Sequence, residues 1–266
     1  MAFHILKAAL LGVTALATTT ALGPRAPSGG VPVYNKDVCG TNWVKVHIPN
    51  DSYFNFYNAP TGQARTCIKV EQHHLDFQIS SISMRRPWGY PNVSSGWESD
   101  IYSCSGVKGA CLKYPVQEKY DGMPVTSVAT WLNTGVYNVA YDIWFNKTDA
   151  HPSQDNGTEI MIWIAHPGIN VWDISRRVTI DGIHWAVMTW TAHNSRAKKS
   201  WHYVAYVAVH QRSALFGLQL NPFFRNAIAN RELSRNWWLT GIDFGFELVR
   251  GGLYNNVHFY KVTGVR

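Results

Sequence analysis

Charge is scarce in this chain. Asp, Glu, Lys and Arg together make up 15% of its 266 residues, against roughly a quarter in ordinary globular domains. With 46% hydrophobic residues beside that low charge, intrinsic disorder is excluded. Long apolar runs are also lacking. Residues 8–17 (AALLGVTALA) form a short one, too short for a comfortable membrane span, and nothing later reaches spanning length without charge. The 4 cysteines contain no CxxC pair, and His73-His74 lacks the helical spacing of a metal site, so zinc is not expected. Past a Thr/Gly/Pro-rich leader at 18–38 there is no linker, repeat or low-complexity tract. The basic excess, 24 Lys and Arg against 17 Asp and Glu, is scattered. Its densest groups are Arg85-Arg86, Arg176-Arg177 and residues 196–199. That pattern suits a soluble basic surface better than a nucleic-acid or anionic-membrane footprint.

Aromatic residues, by contrast, are plentiful: 12 Trp, 13 Tyr and 11 Phe, or 14% of the chain. One core does not need so many, so some are expected to meet a ligand with flat, apolar faces.

The N-terminus reads as an export signal. Lys7 supplies the positive region, residues 8–17 the apolar one, and small residues lead to Gly23-Pro24. An uncleaved anchor is the competing reading. The expected organisation is a signal peptide and leader at 1–30 and a single domain at 31–266. In an oxidising compartment, Cys39, Cys67, Cys104 and Cys111 suggest two disulfides. Three pairings are possible, of which Cys39–Cys67 with Cys104–Cys111 is the simplest. Sequons at Asn92, Asn146 and Asn156 are candidate glycan sites.

Most of the periodicity is two, which predicts strands. In residues 136–145 (VYNVAYDIWF), Val139, Tyr141, Ile143 and Phe145 share one face, and Asn138, Ala140, Asp142 and Trp144 the other. In 158–165 (TEIMIWIA), Ile160, Ile162 and Ile164 oppose Glu159, Met161 and Trp163. In 242–249 (IDFGFELV), Ile242, Phe244, Phe246 and Leu248 oppose Asp243, Gly245 and Glu247. Residues 202–210 (HYVAYVAVH) are strand-like and apolar on both faces. One segment looks helical: Pro222 precedes 223–233, where Phe224, Ala227 and Ile228 form an inward stripe. One helix among many strands predicts an all-β sandwich or barrel.

Three of these strands put an acid on the face opposite their apolar set: Asp142, Glu159 and Glu247. An acid beside a thioether and an indole is odd for open solvent. It suits a cleft where sugar rings stack on aromatics and acids do the chemistry. Two carboxyls flanking a glycosidic bond are the minimal apparatus of glycoside hydrolysis. Sequence spacing cannot supply their separation, so sheet folding must bring them together.

The motifs NGTEIMIWI at 156–164, AYDIW at 140–144 and GFELVRGG at 245–252 resemble glycoside hydrolase family 12. YPNVSSG at 90–96, Cys104, Cys111 and NWWLT at 236–240 follow in that family's order, and the likeness spans roughly residues 39–263. The resemblance implies a β-jelly roll of two curved antiparallel sheets around a long open cleft. It implies endo-acting, retaining cleavage of β-1,4-glucans, with no metal or organic cofactor. Carried over by position, Glu159 is the nucleophile, Glu247 the general acid/base, and Asp142 orients Glu159. Met161 and Trp163 line the cleft, and Asn58 matches a substrate-binding asparagine. The local cysteine pairing also agrees with the family's.

Two positions depart from the family pattern. Pro60 stands where a sugar-stacking Trp is expected, and Val249 replaces the usual Trp after the acid/base. Both bear on substrate preference. Glu247 is expected to carry a raised pKa while Glu159 stays ionised. The expected partner is a β-glucan, with no nucleic acid and no stable membrane association after signal removal, acting as an extracellular monomer. The competing function is a non-catalytic carbohydrate-binding or wall-loosening protein, which needs aromatics but no carboxyl pair.

Overall fold

The computed structural model describes residues 36–40, 44–48, 52–56, 65–71, 76–83, 90, 92–96, 124–132, 135–147, 156–194, 198–252 and 254–262. All of them fall within one unit spanning Val31–Arg266. Asn58, Pro60, Cys104, Cys111 and residues 1–30 lie outside the described residues.

Period-two patterns become strands throughout. The early ones are β1 (Lys36–Gly40), β2 (Val44–Ile48), β3 (Ser52–Phe56), β4 (Arg65–Glu71), β5 (Asp76–Ser83) and β6 (Asn92–Gly96). The middle ones are β7 (Pro124–Thr130), β8 (Gly135–Asn146), β9 (Thr158–Ala165), β10 (Ile174–Ile180) and β11 (Ile183–Asn194). Then come β12 (Lys199–Ala208), β13 (Ala214–Gln219), the helix α1 (Asn221–Ala229), β14 (Trp238–Gly251) and β15 (Asn256–Val262).

They form two sheets. One has six strands in the order β1-β4-β5-β15-β7-β13, and the other nine in the order β10-β11-β12-β9-β8-β14-β6-β3-β2. This is the all-β, two-sheet architecture expected, with one difference. β12 pairs with β9 in parallel, because the β10–β11 hairpin intervenes and turns the chain back. That hairpin closes on Asp181-Gly182, both at positive φ (50° and 71°), as a two-residue turn requires.

The core lies against one face of the nine-stranded sheet. Tyr141, Ile143, Ile160, Ile162, Phe244 and Phe246 are buried there with Val125, Leu215 and Leu218 of the six-stranded sheet. The apolar phases of β8, β9 and β14 therefore point as their alternation predicts. α1 packs on the same face. Phe224 meets Phe145 edge-on at 4.9 Å, and Phe223 meets Trp185 at 5.2 Å and Tyr206 at 5.0 Å between ring centroids.

The helix is shorter than its pattern suggests. It ends at Ala229 rather than Leu233, and Phe223 joins the buried stripe while Ile228 is only partly covered. Arg231 takes a left-handed φ of 61°. The Glu232 N–H then bonds the Ala227 carbonyl at 2.9 Å and the Arg231 N–H that of Ile228 at 3.0 Å. This pair is a Schellman stop, built here without glycine.

The β1–β4 register sets Cys39 directly opposite Cys67. Of the glycan candidates, Asn146 is buried and Asn156 exposed.

Candidate active site

The other face of the nine-stranded sheet carries the acids. Cross-strand partners share a face, so the register assembles the site. Glu159 of β9 lies opposite Trp144 of β8 and Tyr203 of β12. Asp142 of β8 lies opposite Met161 of β9 and Asp243 of β14. Glu247 of β14 lies opposite Asn138 of β8. All three predicted acids thus share a single face on three adjacent strands.

Each is held by specific partners. Glu159 is 7% exposed, and its Oε2 accepts a hydrogen bond from the Trp201 indole N–H. The Trp201 ring leans on Trp144, with centroids 5.9 Å apart. Glu247 Oε2 accepts from Asn138 Nδ2 at 2.6 Å, and the Glu247 backbone N–H donates to Asn138 Oδ1 at 3.3 Å. Asn138 therefore grips Glu247 from both ends of its amide. Ala140 and Gly245 face each other between these groups, leaving that part of the face without bulk.

Burial dominates the electrostatics. Asp142 is 6% exposed, and its carboxyl is raised well above the usual carboxylate range, first by burial and then by the charges of Glu159, Asp243 and Glu247. Burial likewise pushes Glu159 up to about 8. The Trp201 hydrogen bond opposes this, the Glu247 charge adds to it, and the Asp142 hydrogen bond opposes it again. A bond between two carboxyls needs a proton on one of them, and burial raises both Asp142 and Glu159. Desolvation favours the protonated form of Glu159, and the hydrogen bonds from Trp201 and Asp142 oppose it.

Comparison with known proteins identifies the family. Residues 51–263 match Glycosyl hydrolase family 12. The chain belongs to that family. It is 26% identical to Endoglucanase S from Pectobacterium parmentieri over 223 residues, covering 78% of this chain and 80% of that protein. Its fold is similar to endoglucanase cel12A from Rhodothermus marinus, with a TM-score of 0.70, 24% identity, and coverage of 86% of this chain and 98% of that one. It is also similar to a family 12 xyloglucanase from Bacillus licheniformis, with a TM-score of 0.63, 17% identity, and coverage of 87% and 100%. The fold is the family's jelly roll, and the chain is a glycoside hydrolase of the cellulase type.

Within this candidate site, Met161 and Trp163 occupy the Glu159 face but are buried, packed with Ala140, Met188, Tyr203, Ala205 and Val207. Met161 Sδ accepts from the Tyr203 hydroxyl at 2.9 Å and the Trp163 indole at 3.4 Å. They form a floor beneath the site. Phe244, Phe246 and Leu248 point into the core, as their alternation with Glu247 requires.

Sequence reasoning missed four contributors. Trp201 and Tyr203 lie on a strand whose two apolar faces hid its phase. Asn138 and Asp243 were placed on the correct face by alternation, but their partners depend on sheet order. Asp243 is a fourth carboxyl on this face and is fully buried.

Proposed function

We propose that this chain is a secreted, retaining endo-β-1,4-glucanase acting on cellulose-type, mixed-linkage or xyloglucan chains. One observation carries the reading. Glu159 is buried between the Trp201 indole donor and the Asp142 carboxyl, and Glu247 is on the same face, close enough for its charge to act on both.

In this mechanism Glu159 attacks the anomeric carbon while Glu247 gives its proton to the departing glycosidic oxygen. The C–O bond breaks, a glycosyl ester forms on Glu159, and the shortened glucan leaves. Glu247, now ionised, takes a proton from water, which cleaves the ester with net retention. The reactive state thus has protons on Asp142 and Glu247 and none on Glu159. Asp142 and Trp201 both favour that state by donating to the Glu159 carboxylate. Asn138 fixes the direction of Glu247. Met161 and Trp163 support the sugar-binding surface, and Asn58 is a substrate-binding candidate by its place in the family's motif order.

Secretion is supported by Lys7 with the apolar run at 8–17. It is also supported by the facing positions of Cys39 and Cys67, which suit a cross-strand disulfide. Endoglucanases and a xyloglucanase among the similar proteins support the polymer class.

The test is reducing-sugar release from carboxymethyl-cellulose, barley β-glucan and xyloglucan. Wild type releases sugar, while Glu159→Gln and Glu247→Gln lose at least about a thousandfold in kcat and still bind glucan. Full activity in Glu159→Gln would overturn the assignment. Glucan binding without release by wild type would favour a non-catalytic module.

A further inference from the structure

The aromatic surplus is only partly absorbed by the core and the acid face. Trp190 of β11 is 41% exposed. It lies opposite Tyr203 of β12, which lies opposite Glu159 of β9. Trp190 therefore stands on the catalytic face, in the same row as Glu159 and two strands from it. Adjacent strands are ~4.8 Å apart, and each such step is close to the length of one glucosyl unit.

A single exposed indole is ordinary. This one is fixed in place. Its ring stacks on Tyr203 with centroids 4.0 Å apart and planes 23° apart. Tyr203 is itself buried, its hydroxyl anchored on Met161. Tyr203 covers one face of the indole, and Trp190 still keeps 41% of its surface exposed. None of the three other exposed aromatics among the described residues lies within a strand of this sheet: Phe216 sits on β13 of the other sheet, Trp172 precedes the edge strand β10, and Tyr254 lies between β14 and β15. A β-linked glucopyranose holds its hydroxyls equatorial, so its ring faces are C–H surfaces that match a flat indole.

We propose that Trp190 is a sugar-stacking platform, a subsite about two glucosyl units from the cleaved bond that grips longer chains. It rests on the glucanase reading above and adds a residue that sets chain-length preference. The Trp190–Tyr203 stack makes the platform rigid before substrate arrives, so little ordering is needed on binding.

The experiment compares kcat/KM for wild type, Trp190→Ala and Trp190→Phe on cello-oligosaccharides of increasing length. Trp190→Ala is expected to lose about tenfold on the longest chain, mainly through KM, and little on the shortest one cleaved, whereas Trp190→Phe stays within about twofold. An equal loss at every length, or no loss while wild type is active, would overturn the platform alone. Wild type inert toward every β-glucan would overturn the glucanase reading and the platform with it. Calorimetry with cellohexaose gives a readout free of turnover. Glu159→Gln should bind about tenfold more tightly than the same variant carrying Trp190→Ala, and equal affinities would contradict the platform. If the alanine variant folds poorly, Trp190→Gln, which cannot stack as an indole does, replaces it with the same expected outcomes.

Discussion

Glu159 sits in a conflict that two neighbours partly relieve. Burial and the Glu247 charge favour its protonated form, and the reaction we propose needs the ionised form. Trp201 is the stronger of the two opposing donors, ahead of Asp142. Trp201→Phe keeps the ring and removes that donor, so Glu159 becomes harder to ionise. The acid limb of kcat/KM should move to higher pH, and kcat should fall about tenfold or more. An unchanged pH profile would mean that the indole only packs. At this scale the sequence was informative wherever a side chain's role follows from its own strand. Alternation alone placed Asp142, Glu159 and Glu247 opposite their apolar neighbours. It could not reveal Trp201, because β12 is apolar on both faces and its contact with Glu159 depends on β12 lying beside β9.

A polar clamp ties the helix to the sheet. Arg176 of β10 makes two bonds to Glu232, at 2.5 and 2.7 Å, and two to Asn226 of α1, at 2.9 and 3.3 Å. The Tyr206 hydroxyl donates to the same Asn226 at 3.0 Å. The Thr158 hydroxyl donates to the Glu232 carbonyl at 2.9 Å, anchoring the residue next to Glu159. Thus the turn that ends α1 also holds the start of the strand carrying the proposed nucleophile. Arg176→Ala leaves the Glu232 carboxylate, which is 9% exposed, without its cation. Stability to urea should fall by about 2 kcal/mol, with kcat well below the unfolding temperature within about twofold of wild type. A change under about 0.5 kcal/mol would show the clamp to be an ordinary surface ion pair. The sequence showed that a helix follows Pro222 but not where it stops. Its end depends on Arg231 adopting a left-handed backbone, and no Gly or Pro marks that point.

Across the whole molecule, the two sheets divide the labour. One face of the nine-stranded sheet is spent on the shared core, and the other is free to carry acids and indoles. Low charge and high aromatic content are consistent with that division. Sheet order was not legible, because pairing β12 with β9 across the β10–β11 hairpin depends on long-range packing. The carboxyls converge only once that order is set. Their meeting is the central claim, and trapping the covalent intermediate tests it most directly. A 2-deoxy-2-fluoro-cellobioside with a good leaving group slows both displacement steps, and a leaving group that good needs no proton from Glu247. Intact-mass measurement and peptide mapping should then find one glycosyl adduct, on Glu159, in wild type and in Glu247→Gln alike. An adduct on Glu247 or Asp142, or inactivation with no adduct, would contradict the account.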